Sequence, residues 1–313
     1  MRISYLLLFL LSTPFSVFSQ SSVLSEDILL MNDSIQLPGT LTYKADKKEQ
    51  PLAIFIQGSG NPDRNGNQLA LGIKANYIKS LRDSLNQNGI AFYSFDKRNV
   101  TPSNIKFLTQ HFIFEDLVDD VETIINHFGN DKRFNSITLI GHSQGSLVGM
   151  LAISEHIDGF VSVSGLGESA DKTIVKQVTA QSEVLGNTTR EHFSELKATG
   201  SIKEVNPMLI SLFAKQNHEF LISYINYIPS EEIKKIKIPI LILNGTKDLQ
   251  VKTSEAELLH KANPESKLVL IENMNHVLKT IDNDEDNLKS YSSSEFPLSK
   301  HLVAEITEFI KSK

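Results

Sequence analysis

The chain contains no cysteine. That excludes a disulfide framework, a lipid-anchored lipoprotein and any thiolate metal site. It also lacks a block of one charge. Its 31 basic and 37 acidic side chains leave a formal net charge of −6, spread along the sequence. Such a balance gives no electrostatic reason to expect nucleic acid as a partner. There is no internal repeat, no H-E-x-x-H and no P-loop. A long unbroken apolar run is missing too. Spanning a bilayer takes ~20 apolar residues, and the N-terminal candidate "YLLLFLLSTPFSVFSQ" is interrupted by Ser12, Thr13, Pro14, Ser16 and Ser19. With Arg2 ahead of the run and Ser19 at a plausible cut, residues 1–20 read as a signal peptide, against a membrane anchor as the alternative. The expectation is an exported protein, periplasmic or secreted, with no membrane span after processing.

What is present suits one large domain over residues 21–313. Of 313 residues, 40% are hydrophobic, enough for a sizeable core. "DILLMNDSIQLPGTLTYK" reads as two strands joined by polar and Pro-Gly turn signals. "PLAIFIQGSG", "IAFYSFDKR", "SITLIGHSQG", "GFVSVSG", "IPILILNG" and "KLVLIEN" read as buried strands. Between several of them lie helical periodicities, such as Tyr77, Ile78, Leu81 and Leu85, or Leu117, Val118, Val121, Ile124, Ile125 and Phe128. "LVAEITEFI" closes the chain as an amphipathic helix. Alternating strands and helices predict an α/β fold, a mostly parallel central sheet with helices on both faces. From about 167 to 237 the sequence offers only helix-like segments, too long for an ordinary connection. It predicts an inserted helical lid.

Gly141-His142-Ser143-Gln144-Gly145 is a G-x-S-x-G pentapeptide between a predicted strand and a predicted helix. Glycines on both sides permit a sharp turn that exposes the serine beside helix-start amides. A serine hydroxyl needs a base to take its proton, and the base needs a carboxylate to hold its tautomer. On a doubly wound sheet these follow in the order serine, acid, histidine. Asp248 comes a few residues after "ILILNG", and His276 a few residues after "KLVLIE". Asp282, Asp284 and Asp286 compete for the acid role but sit in a polar stretch that reads as a solvated loop. His142 falls inside the motif, where its side chain is expected to point away from the serine. The other histidines lie in predicted helices, at their starts or in the lid. For the oxyanion, the backbone amide of Gln144 is one expected donor. Ser59, after the "AIFIQGSG" strand, is the other, with Gly58 as the alternative.

These residues resemble the α/β-hydrolase superfamily. More narrowly, the chain is similar to bacterial esterases and dienelactone-hydrolase-like proteins with a "GSGPxDRDGN"-type segment. Here that segment is Gly58-Ser59-Gly60-Asn61-Pro62-Asp63-Arg64-Asn65-Gly66-Asn67. "FDKR" (Phe95 to Arg98), "GHSQG", "PILILNGTKDLQV" and the Asn275-His276 pair also match, over about residues 26–313. The resemblance departs at Gln57, where many members have histidine. It departs again at Asn99-Val100-Thr101, which replaces a glycine-rich continuation. It implies hydrolysis of small-molecule carboxylic esters through an acyl-enzyme, with neither metal nor organic cofactor. A peptidase, acyltransferase or thioesterase could use the same triad, and a non-catalytic binding protein is the reading from another class. The sequence leaves the oligomeric state open.

Two weaker signals carry nothing. "DNDED", 282 to 286, starts like a calcium loop but has Asn287 and Ser293 where the loop needs glycine and glutamate. Asn-x-Ser/Thr triplets at Asn32, Asn99, Asn187 and Asn244 predict no glycosylation behind a bacterial-type leader, and Asn244 is expected to end a buried strand.

Overall fold

A computed structural model describes residues 22–108 and 111–313. The expected leader, 1–20, lies outside the described residues.

The described chain opens with an antiparallel hairpin of β1 (Val23–Asn32) and β2 (Ile35–Lys44), with Asn32 opposite Ile35. Asp33 turns the chain in the left-handed region, φ 50°, which aspartate tolerates better than most residues. Pro38-Gly39, a turn signal in the sequence, instead lies within β2 opposite Leu29 and Ile28. The glycine is there because the Tyr93 hydroxyl of a neighbouring strand occupies the space a Cβ would need. Tertiary packing, not turn chemistry, accounts for it.

Strand β3 (Gln50–Ile56) leads to a small hairpin, β4 (Asn67–Gln68) and β5 (Ile73–Lys74), and then to helix α1 (Tyr77–Gln87). Next come β6 (Ala91–Phe95), α2 (Ile105–Leu108), α3 (Glu115–Phe128), β7 (Phe134–His142), α4 (Gln144–Ala152) and β8 (Gly159–Val163). Five helices follow without a strand: α5 (Ala170–Gln181), α6 (Glu183–Thr199), α7 (Ile210–Phe213), α8 (His218–Ile225) and α9 (Pro229–Glu232). The sheet resumes with β9 (Ile240–Gly245), α10 (Thr253–Ala262) and β10 (Lys267–Ile271). Helices α11 (Asp284–Ser290) and α12 (Lys300–Lys311) end the chain.

Eight strands form one sheet in the order β1-β2-β6-β3-β7-β8-β9-β10. Only β2 runs against the others. Period-two alternation sends successive side chains to opposite faces. Ile54, Tyr93, Leu139 and Ile242 meet α3, α4 and α10 on one face. Phe55, Phe92, Ile140 and Leu241 meet α1 and α12 on the other. Both faces are covered, so the strands read as continuous apolar runs rather than alternating ones. The helical face of α1 holds Tyr77, Ile78, Leu81 and Leu85, the residues whose spacing predicts it. No described helix is long and apolar enough to cross a membrane.

Candidate active site

Parallel strands that all point one way place their following loops along one edge of the sheet. The loops after β3, β7, β9 and β10 carry Gly58 and Ser59, Ser143, Asp248, and His276, respectively. Strand β7 ends at His142 and α4 begins at Gln144, so Ser143 alone makes the turn. It does so with φ 55° and ψ −122°, a backbone that L side chains rarely adopt and that neighbouring structure must hold in place. The flanking glycines make the turn possible. A Cβ on Gly141 would stand 2.5 Å from the Gly145 carbonyl oxygen, and one on Gly145 2.6 Å from the Gln57 carbonyl oxygen.

Asp248 and His276 meet directly, with His276 Nδ1 2.8 Å from Asp248 Oδ2. The other carboxylate oxygen, Oδ1, accepts the backbone amides of Gln250 and Val251, each at 2.8 Å. Burial raises the Asp248 pKa, but the His276 charge, the His276 hydrogen bond and the two amides outweigh it, and the net shift is below the ordinary carboxylate value. An ionised carboxylate takes a proton-bearing Nδ1 as its partner. That leaves His276 Nε2 as an acceptor. Ser143 and His276 line one cavity of about 190 Å³ together with Gly58, Ser59 and His142. Ser143, Asp248 and His276 are 7%, 3% and 4% exposed. No hydrogen bond joins Ser143 to His276 directly. Such bonds often tighten only around substrate.

A second cavity of about 190 Å³ lies on the other side of Ser59. Gln144, Lys97 and Asn99 line it, and so do Leu212, Phe220 and Leu221 from the α7–α8 segment. The helical insertion therefore shares a cavity with both expected oxyanion donors. Phe193, Phe213 and Tyr224 do not line it. They are buried in the core, and Phe213 meets Phe193 at 4.9 Å between ring centroids. Met208, from the same helical segment, is 75% exposed. It lies in the short turn before α7, and its amide donates to the capping Asn206 side chain at 2.9 Å.

The His142 side chain packs against the loop that carries His276. Its ring lies 4.7 Å from the His276 ring between centroids, and its Nε2–H donates to the His276 backbone carbonyl at 2.8 Å. Burial, then the neighbouring His276 charge, pushes its pKa down to about 3. It is a neutral prop for the loop that carries His276. Strand β7 runs as far as His142, which sets this side chain beside the His276 loop.

The polar stretch after His276 also does more than dissolve. Asn283 caps α11 by accepting from the Glu285 amide. Asn287 is buried and donates to the Lys247 carbonyl at 2.8 Å while accepting from Asn275 at 3.0 Å. It thus clips together the loops of Asp248 and His276. Asp284 and Glu285 remain exposed, and Asp286 is half-buried. Asn244 sits inside β9, where it accepts from Ser164 and donates to the Val251 carbonyl.

The two remaining motif segments lock to each other. Asp63 Oδ1 accepts the amides of Asn65 and Asn67 at 2.8 and 2.9 Å. Arg64 makes a forked pair with Asp96, at 2.7 and 3.1 Å to one carboxylate oxygen. Arg98 is held by Asp116 and Asp120. Their sequence matched a pattern, but only the structure shows that "DR" and "DKR" are partners.

A strained serine between strand and helix, a buried acid–histidine pair on neighbouring loops and a single reversed strand define the α/β-hydrolase fold. The chain belongs to the hydrolase family described as serine aminopeptidase, S33, which matches residues 71–283. Esterase EstD of Thermotoga maritima is 22% identical over 252 residues, 77% of this chain. The chain spans only 58% of that relative's length. Among solved structures, the Pyrococcus furiosus esterase Pf2001 superposes with a TM-score of 0.59 at 17% identity, covering 93% of this chain and 91% of that one. Est1E from Butyrivibrio proteoclasticus gives 0.57 at 17% identity, covering 91% and 96%. Likenesses at that identity speak to the fold.

Proposed function

We propose that the protein is a serine hydrolase of small carboxylic esters. The observation that carries this is the strained Ser143 in one cavity with a histidine whose Nδ1 is held by a buried carboxylate. Ser143 Oγ attacks the acyl carbonyl and passes its proton to His276 Nε2. Asp248 holds the imidazole in the accepting tautomer and stabilises the imidazolium. The amides of Gln144 and Ser59 receive the oxyanion. His276 returns the proton to the leaving alcohol, and water then releases the acid by the same steps in reverse.

The family description names an aminopeptidase, and peptide and ester cleavage share this chemistry. The cavities favour the ester. Among the described residues no carboxylate lines either of them, and the one cation there is Lys97. A free N-terminal ammonium would find no counter-charge. The cavity beyond Ser59, with Leu117, Leu212, Phe220 and Leu221 among its walls, suits a short, mostly apolar acyl group. In this reading the inserted segment of about 167–237 acts as a lid that sets acyl preference. The N-terminal sequence supports export of the mature chain.

Turnover of p-nitrophenyl esters of graded length, beside aminoacyl-nitroanilides, tests this reading. Wild type is expected to prefer short esters and to react covalently with a fluorophosphonate. Ser143→Ala is expected to lose the label and at least ~10³-fold in kcat while staying folded. Label retained in the variant would place the nucleophile elsewhere.

A further inference from the structure

Buried ammonium groups are ordinarily paired with a carboxylate, because an unpaired buried charge is costly. Lys97 breaks that pattern. It follows β6, is 5% exposed, and among the described residues its ammonium makes one hydrogen bond, from Nζ to the Gly58 carbonyl at 2.7 Å. The nearby carboxylates are engaged by others: Asp96 by Arg64, and Asp116 and Asp120 by Arg98. Burial by itself pushes the Lys97 pKa down to about 7.

The bond falls on an informative atom. The Gly58 carbonyl and the Ser59 amide belong to one planar peptide unit. In a trans peptide they point in opposite directions, and no described peptide is cis. A donor that fixes the carbonyl therefore also fixes the direction of the N–H. It further draws electron density toward the carbonyl oxygen, which makes the N–H a stronger donor.

The loop is close to the nucleophile. A Cβ on Gly58 would stand 2.9 Å from Ser143 Cβ. The Ser59 amide donates to no acceptor among the described residues. The rest of the loop is anchored separately, through the turn at Asp63 and the Arg64–Asp96 pair. Lys97 is thus not what folds the loop. Its contact acts on the peptide that carries the Ser59 amide, one of the two expected oxyanion donors.

We propose that Lys97 is a positioning residue of the oxyanion hole, aiming and polarising the Ser59 N–H through the Gly58 carbonyl. The inference rests on the serine-hydrolase reading above. Its effect belongs to the transition state, where charge gathers on the acyl oxygen, and not to ground-state binding.

The test compares wild type with Lys97→Met, which fills the same space without a donor, and Lys97→Gln, which keeps a neutral one. Active-site titration with a fluorophosphonate counts competent enzyme. Kinetics on p-nitrophenyl butyrate, and inhibition by an alkyl trifluoromethyl ketone that forms a tetrahedral adduct, provide the readouts. In Lys97→Met, kcat per titrated site is expected to fall ~10- to 10²-fold, short of the loss of a whole oxyanion donor. KM should stay within about twofold, and ketone affinity should fall in step with kcat. Lys97→Gln should lie between. Wild-type kcat per titrated site in both variants would overturn the proposal, even if their melting temperatures dropped. So would a raised KM confined to esters with an anionic acyl end, which would make Lys97 an acyl-recognition residue. If wild type itself took no fluorophosphonate label, the serine-hydrolase reading would fall instead.

Discussion

Replacing Asp248 with asparagine removes a charge and keeps the shape. What happens next is set by the two backbone amides on Oδ1. Gln250 and Val251 both donate there at 2.8 Å, so that position must hold an oxygen. The asparagine NH2 is then forced to the Oδ2 position, 2.8 Å from His276 Nδ1. Two donors cannot face each other, so the imidazole moves its proton to Nε2. That is the nitrogen that should accept from Ser143. The wrong tautomer, with no carboxylate to stabilise the imidazolium, is expected to lower kcat ~10⁴-fold, about 5.4 kcal/mol of barrier. KM should hardly change, since Asp248 lines neither cavity. Folding should persist because the amide contacts remain. The assay is kcat on p-nitrophenyl butyrate with circular dichroism as a folding control. A folded Asp248→Asn variant within tenfold of wild-type kcat would refute the reasoning and move the acid elsewhere.

Phe213→Ala and Phe220→Ala separate packing from recognition in the helical insertion. Phe213 is fully buried against Phe193 and His192, so its loss should cost about 3–5 kcal/mol of stability with acyl-chain preference intact. Phe220 lines the cavity beyond Ser59 and stacks on Phe112 at 4.8 Å, so its loss should shift preference toward longer acyl groups; unchanged preference would remove it from the acyl site. The acid limb of stability should follow the buried carboxylates. Burial of Asp171 is outweighed by its bond to Lys197 and its other partners, and Asp248 likewise ends below the ordinary 3.8. A lowered folded-state pKa gives stability that is present above the unfolded value and lost as pH falls through the folded one. Melting temperature should therefore hold down to about pH 5 and drop below about pH 4, with a shallower drop in Asp248→Asn; equal slopes in the two proteins would count against Asp248 as a contributor.

Local pattern was enough for much of the architecture. Strands buried on both faces have no polar side to interrupt them, so "PLAIFI" and "ILILNG" stand out as runs, and α1 and α3 stand out by their spacing. The order Ser143, Asp248, His276 could be read because each follows a strand, and a parallel sheet delivers all such loops to one edge. What the sequence could not reveal was every relation between residues far apart in the chain. Pro38-Gly39 carries turn chemistry, yet the Tyr93 hydroxyl 54 positions later decides that it is strand. Nothing in the sequence marks a partner for His142, yet its ring meets the His276 carbonyl 134 residues away. Asn287 has nothing in its neighbourhood to mark it, since its value lies in bridging Lys247 and Asn275. Lys97 sat in a matching motif without a role until the sheet brought Gly58 beside it, 39 residues back. Periodicity and turn chemistry are local energies, written within a few residues. A hydrogen bond to a distant backbone carbonyl has no such record, because any side chain of that type could make it and only the packed sheet decides which one does.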